Sequence, residues 1–165
     1  MGGMTNATNI VLALATVTVG ITAGVMFCYQ IAIMPGLHQL PDREFISAFQ
    51  HIDRKIVNPL FVMVSFLGGG ALLIAGAVLQ GPDSLRFWLL VAASVVYVVG
   101  VVIVTLAWHV PRNNALDRFP VTTATADETA HARARFEAPW NRLHVVRTLA
   151  AIAALAMLAA ALVEH

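Results

Sequence analysis

The chain has 165 residues, of which 59% are apolar and only 12% charged, with a mean hydropathy of +0.78. That composition excludes an ordinary soluble domain and fits a polytopic membrane protein. Ten Lys and Arg against nine Asp and Glu leave a formal charge of +1, too weak a field to hold a nucleic-acid backbone by counterion release. The single cysteine, Cys28, excludes an internal disulfide, and no Cys/His pair has zinc-site spacing.

Met1 to Asn9 carries no Lys or Arg, and the apolar run behind it is about twice a secretory h-region, so it is expected to stay as a membrane span. Ile10 to Ile33 is 24 residues without a charge, about 36 Å of helix and enough to cross a bilayer core. Thr16, Gly20, Gly24 and Cys28 recur every four positions, a small-residue ridge that predicts helix packing on that face. Pro41 to Val57 predicts an amphipathic helix: Asp42 is the N-cap, and Phe45, Phe49, Ile52 and Ile56 form one stripe with charges opposite. It is expected to lie along the membrane interface.

Asn58-Pro59 opens a second span to Leu79, where Gly68, Gly69, Gly70 and Gly76 predict a close helix crossing or a local distortion. Gln80 to Ser84 is a turn short enough to make the second and third spans antiparallel neighbours. The third span runs from Phe87 to Trp108, with Trp88 and Trp108 as interfacial anchors about 30 Å apart. His109-Val-Pro111 then reads as a helix stop. Asp127 and Glu128 open a short helix through Phe136 that carries His131, Arg133 and Arg135 outward. The uncharged run from Thr148 to Val163 is too short to span, so the fourth helix is expected to start at Pro139 and to draw Arg142, His144 and Arg147 to the membrane boundary. Residues 1–165 therefore read as a single all-α membrane domain: a four-helix transmembrane bundle (about 10–33, 59–79, 87–108 and 140–163) with an interfacial helix at about 42–57.

Nine of the ten cations lie on the side of the two long connections, and Arg86 alone lies opposite. The positive-inside rule then sets the long loops in the cytoplasm and both termini outside. Five histidines (His38, His51, His109, His131 and His144) share that loop side, and His165 lies opposite. Loops and helix ends account for His38, His51 and His131; His109 and His144 close one span and open another at similar depth. Trp140, His144 and Arg147 follow i, i+4, i+7 and share one helix face, bordered by Asn141. An arginine at that depth faces the bundle interior with a partner, snorkels, or serves as an anion donor beside a base. Asp53, Asp117 and Glu137 are the carboxylates that can pair with it, and spacing does not choose among them.

Several stretches together resemble the anthrone oxygenase family: Thr22 to Phe27 with Met34-Pro-Gly-Leu37, Phe45 through Phe61, His109-Val-Pro-Arg-Asn-Asn-Ala-Leu116, and Trp140-Asn-Arg-Leu-His-Val-Val-Arg-Thr148. That family consists of small four-span membrane proteins, most of them bacterial, with fungal members in polyketide pathways. The steadiest matches are Arg147 and the Pro111 to Asn114 turn. The resemblance implies oxygenation of an anthrone-like substrate with O₂ and no cofactor, in the bacterial inner membrane. An anthrone has an acidic methylene whose enolate is electron-rich enough to reduce O₂, so a base and an oxyanion donor suffice. Carried onto this chain, His144 is the base, Arg147 the oxyanion stabiliser and Trp140 an aromatic wall, with Asn141, His109, Asn113 and Asn114 as polar lining. The expected partners are the bilayer and an apolar small molecule, with a homo-oligomer through the glycine-rich faces and no nucleic acid.

Two other readings stand beside this one. The chain is a non-catalytic bundle that binds a lipid, a quinone or a partner subunit, with Arg147 and the histidines fixing helix ends. Alternatively, His51, His109 and His144 hold a transition metal for oxygen chemistry, an assembly from three helices with no spacing signature.

Overall fold

The computed structural model describes residues 2–164, with side chains from residue 6 on. Met1, the side chains of residues 2–5 and His165, which the sequence sets opposite the long loops, lie outside the described residues. Five helices follow in order: α1 (Asn6–His38), α2 (Asp42–Ile56), α3 (Leu60–Gln80), α4 (Leu85–Asp117) and α5 (Ala126–Val163). All but α2 are long and apolar enough to cross a membrane, and no strand occurs among the described residues. The four form an up-down-up-down bundle in which α1 and α4 each pack against both α3 and α5.

Small residues set how closely these helices approach. A Cβ on Gly76 would sit 2.6 Å from Leu12 Cδ2, and one on Gly100 would sit 2.4 Å from Ala150 Cβ, so glycine is what lets α3 meet α1 and α4 meet α5. The expected close crossing at the glycine triplet is there: Tyr97 lies against Gly69 and Gly70 and donates to the Phe66 carbonyl at 2.9 Å. A distortion is there too, because α3 opens with a π-helical stretch over Leu60–Leu67. Asn58 caps this helix by accepting from the Phe61 N–H at 3.0 Å. Between α3 and α4, Gly81 takes φ +75° and Ser84 Oγ accepts from the Phe87 N–H.

Several boundaries differ from the sequence reading. The ridge of Thr16, Gly20, Gly24 and Cys28 does not pack within the chain; a Cβ on either glycine meets nothing within 4 Å. The buried face of α1 is instead Leu12, Ala15, Val19, Thr22, Ala23 and Met26. Helix α4 does not stop at Pro111. A π-helical turn over Thr105–His109 widens the backbone just before the proline, relieving the clash of its ring with the preceding turn, and the helix runs on to Asp117. Nor is there a separate helix from Asp127 to Phe136: α5 is continuous through Pro139. It starts from a Thr125/Glu128 capping box, Glu128 accepting from the Thr125 N–H at 2.8 Å.

At its 38 residues α5 is about 57 Å long, far more than a bilayer core needs, and its first third is the platform on which α2 lies. Asp42 is the first helical residue of α2 rather than its cap; the first turn closes through the Phe45 N–H and the Pro41 carbonyl at 2.8 Å. Its carboxylate is drawn instead to Arg133, at 3.0 Å. Arg133 does not point outward: it also binds Glu137 and the carbonyls of His38 and Leu40, and covers the Phe45 ring at 4.4 Å. Arg43 reaches the carbonyls of Val121 and Ala124, and Gln50 donates to those of Leu116 and Phe119, which ties the second long loop to α2.

Candidate functional site

The loop-side half of the bundle encloses a cavity of about 210 Å³ among α1, α2, the start of α3, the end of α4 and the middle of α5. Its walls are apolar residues such as Met26, Phe49, Phe61, Phe66, Leu106 and Val110. Polar groups enter at few points: Tyr29, Asp53, Thr105, Asn113, Trp140, His144 and Arg147.

Three of these stand where the helical spacing put them. Trp140, His144 and Arg147 lie on the buried face of α5 at 3%, 2% and 8% exposure. Arg142 is exposed on the opposite face. The Arg147 guanidinium donates to Thr105 Oγ1 at 3.0 Å and to His144 Nδ1 at 2.8 Å, and its carbon lies 5.6 Å from the centre of the Trp140 ring. Its Nε has no partner, and no carboxylate stands within salt-bridge distance of it among the described residues. A buried cation without a counter-anion is costly in a membrane and marks a place where a ligand's negative charge is welcome.

The hydrogen bonds fix the state of His144. A guanidinium only donates, so Nδ1 is an acceptor, and Nε2 is then the protonated nitrogen, donating to the Met26 carbonyl at 2.9 Å. With both nitrogens engaged and its ring stacked on Trp140 at 4.6 Å, His144 has no free lone pair for a substrate proton. It orients Arg147, and the base expected at this position is not available in this geometry.

A second polar chain reaches the cavity from the loop side. Trp140 Nε1 donates to Asn113 Oδ1 at 2.9 Å, and Asn113 Nδ2 donates to Asp53 Oδ1 at 2.7 Å. Burial holds the Asp53 carboxyl above the ordinary carboxylate range; the Asn113 hydrogen bond works against this and the nearby Asp117 adds to it. The sequence already shows Asp53 as an oddity, because it stands four residues after Phe49 and three before Ile56, on the stripe that was expected to be free of charge.

The remaining expected site residues divide. His109 is fully buried and edge-on to Trp140 at 5.2 Å, behind the cavity wall, and neither ring nitrogen has a well-formed hydrogen bond. Asn141 lies around the helix from Trp140, in a surface groove with Gln30 and His38, and does not line the cavity. Asn114 is exposed, one position past the residue that reaches inside. His51 is exposed, with Nδ1 at 2.7 Å from the Ser47 carbonyl, and borders a groove separate from the chamber that His144 lines. The three histidines are therefore not brought together, and no group of three His, Cys, Asp or Glu with metal-holding geometry occurs among the described residues. Tyr29 and Thr105 were missed by sequence reasoning; each is a hydroxyl in an otherwise apolar span, and that is their only signal.

The sequence matches the anthrone oxygenase family over residues 47–157, well over half of the chain, a range that takes in Asp53, Thr105, Asn113, Trp140, His144 and Arg147. The chain belongs to that family. Of the cavity's polar groups, only Tyr29 lies outside the matched range. No curated protein and no solved structure matches the chain. Within this anthrone oxygenase family member, the arrangement is a largely apolar chamber with a cation at one level and a carboxylate at another.

Proposed function

We propose that the protein oxygenates an apolar aromatic substrate of the anthrone type with O₂, in a pocket that a bilayer-dissolved molecule enters sideways. The observation that carries this reading is Arg147, buried at an apolar cavity, held by Thr105 and His144, and lacking a carboxylate of its own. Its role is to receive the oxyanion that forms when the substrate loses a methylene proton; a preorganised cation in a dry site is worth far more than in water. Trp140 and Phe49, edge-on to each other at 5.6 Å, supply aromatic walls. Membership of the family supports an oxygenase-like role, and the apolar lining supports the substrate class.

The reaction needs no resident cofactor in this proposal, because the enolate itself passes electrons to O₂. The proposed setting is a bacterial inner membrane with the long loops cytoplasmic and both termini outside, supported by the cation count. The outward Gly20 and Gly24 face is the surface on which a second copy would pack, and the reading includes no nucleic-acid partner.

The test is oxygen uptake and anthraquinone formation from anthrone by the detergent-purified protein, with and without chelator, beside Arg147→Ala. Turnover above the spontaneous rate that survives chelator and falls about 10²–10³-fold in the variant is the expected result. Chelator-sensitive turnover would move the chemistry to a metal. Absence of enzyme-dependent turnover would sink the proposal.

A further inference from the structure

We propose that Asp53 is the group that takes the substrate's proton, with Asn113 and Trp140 as its positioning residues; the inference rests on the function proposed above. The cavity's polar inventory leaves little choice. Arg147 is a donor only, Tyr29 and Thr105 are neutral hydroxyls, and His144 has both ring nitrogens occupied. His109 lies behind the wall and does not reach the chamber. Asp53 alone among the lining residues is a carboxylate, and one of its oxygens is held by Asn113 while the other has no hydrogen bond among the described residues.

The two charges line one cavity from different levels of α4, an arrangement that puts a proton acceptor and an oxyanion donor at opposite ends of one ligand. Arg147 binds Thr105 and Asp53 binds Asn113, and those two anchors are eight residues apart on α4, more than one helical turn along its length. The two charged groups line one cavity without forming an ion pair, so neither neutralises the other by direct contact. In an anthrone the carbonyl and the acidic methylene face each other across the central ring. A molecule lying along the chamber with its carbonyl at Arg147 therefore presents its methylene toward Asp53.

The chemistry balances with O₂ as oxidant. A methylene C–H bond breaks, its proton goes to the Asp53 carboxylate, and the electron pair delocalises onto the carbonyl oxygen beside Arg147. Electrons pass from the enolate to O₂, a C–O bond forms at the former methylene carbon, and the terminal peroxide oxygen takes the proton back from Asp53. The second C–H of that carbon then gives its proton to the same carboxylate while the O–O bond breaks. The departing oxygen leaves as water with that proton, and the carbon becomes a ketone.

The experiment compares wild type with Asp53→Asn, Asp53→Glu and Arg147→Ala using anthrone, first without oxygen and then with it. Without oxygen, wild type is expected to build up the red-shifted enolate absorbance of bound anthrone. Asp53→Asn is expected to lose that signal and to lower kcat by about 10²–10⁴-fold with KM nearly unchanged, while Asp53→Glu keeps part of both. If Asp53→Asn forms the enolate and turns over like wild type, Asp53 is not the base, although oxygenation of anthrone stands. A rise in KM that accounts for the whole loss would also overturn the assignment, since it would mark a binding role. Should Asp53→Asn fail to fold, an Asp53→Glu enzyme with wild-type rates of enolate formation and turnover in the presence of Asn113→Ala would overturn it too, because the carboxylate would then need no fixed position. Wild type without enolate or oxygen uptake would remove the underlying function itself.

Discussion

The two halves of the bundle are held together by different physics. Toward the chain termini the core is Leu12, Leu73, Leu90, Tyr97, Ala151, Ala154 and Leu158, without a charge, and cohesion comes from glycine and alanine that let backbones approach. Toward the long loops the core is Tyr29, Phe45, Phe49, Phe136 and Trp140, rings threaded by arginines, carboxylates and amides. In the first half any added volume is a collision; in the second, any lost partner leaves a buried polar group. The site sits where the second regime begins, and this lets Arg147 be desolvated and yet anchored.

This contrast can be broken from either side, and the largest effect is expected in the glycine half. Gly100→Leu forces its Cβ into Ala150 and should abolish folded protein, whereas Gly20→Leu, which meets nothing within its own chain, should leave the helical content of the folded chain in detergent unchanged by circular dichroism. Next comes Arg147→Ala, with its 10²–10³-fold loss of anthrone turnover measured by oxygen uptake. In the polar half, Arg133→Ala removes the contacts to Asp42, Glu137, His38 and Leu40 that hold α2 on α5, and should cost about 1.5–3 kcal/mol in denaturant unfolding. Ser84→Ala, which removes the cap of α4 on the other side of the bundle, should cost about 1 kcal/mol and leave turnover unaltered.

A pH titration sharpens the same comparison. Burial raises the Asp53 carboxyl above its unfolded value, with Asp117 adding and Arg147 opposing. The folded state thus holds its proton to higher pH than the unfolded state, so stability is expected to fall as pH rises through that window. Turnover is expected to rise through the same window, because only the ionised carboxylate accepts a proton. Thermal unfolding and initial rates across the acidic range would show the two trends crossing; in Asp53→Asn both should flatten.

Sequence pattern carried the architecture well, because membrane spans must be apolar, long and internally hydrogen-bonded. It also carried the Trp140, His144 and Arg147 face, since spacing along one regular helix survives folding. It failed where helices are irregular or where partners are remote. Pro111 and Pro139 read as ends, yet a π turn absorbs one and α5 runs through the other. The glycine ridge of α1 read as a packing face, yet no helix of this chain covers it, because small residues look the same whether the neighbour belongs to the same chain or to another. The place of His144 is legible in that spacing, but its hydrogen bond to Arg147 three positions on is not, because the geometry is one that spacing permits but does not require. Asp53 was visible as one of three carboxylates, and only folding shows that α2 delivers it to the chamber.

Around that chamber, three helices depart from regular winding: Tyr29–Ile33 in α1, Leu60–Leu67 in α3 and Thr105–His109 in α4. Each π turn holds more residues than an α turn of equal rise, and so acts as a residue inserted into the span that rotates everything beyond it. The hollow is in this sense a product of insertion. Deleting one residue at any of these wide turns would tighten that turn toward α winding, which circular dichroism would record as intact helix, while swinging Tyr29, Phe66 or Thr105 out of the chamber. Loss of a residue, ordinarily ruinous inside a membrane span, would here leave the scaffold standing and remove only the room it encloses.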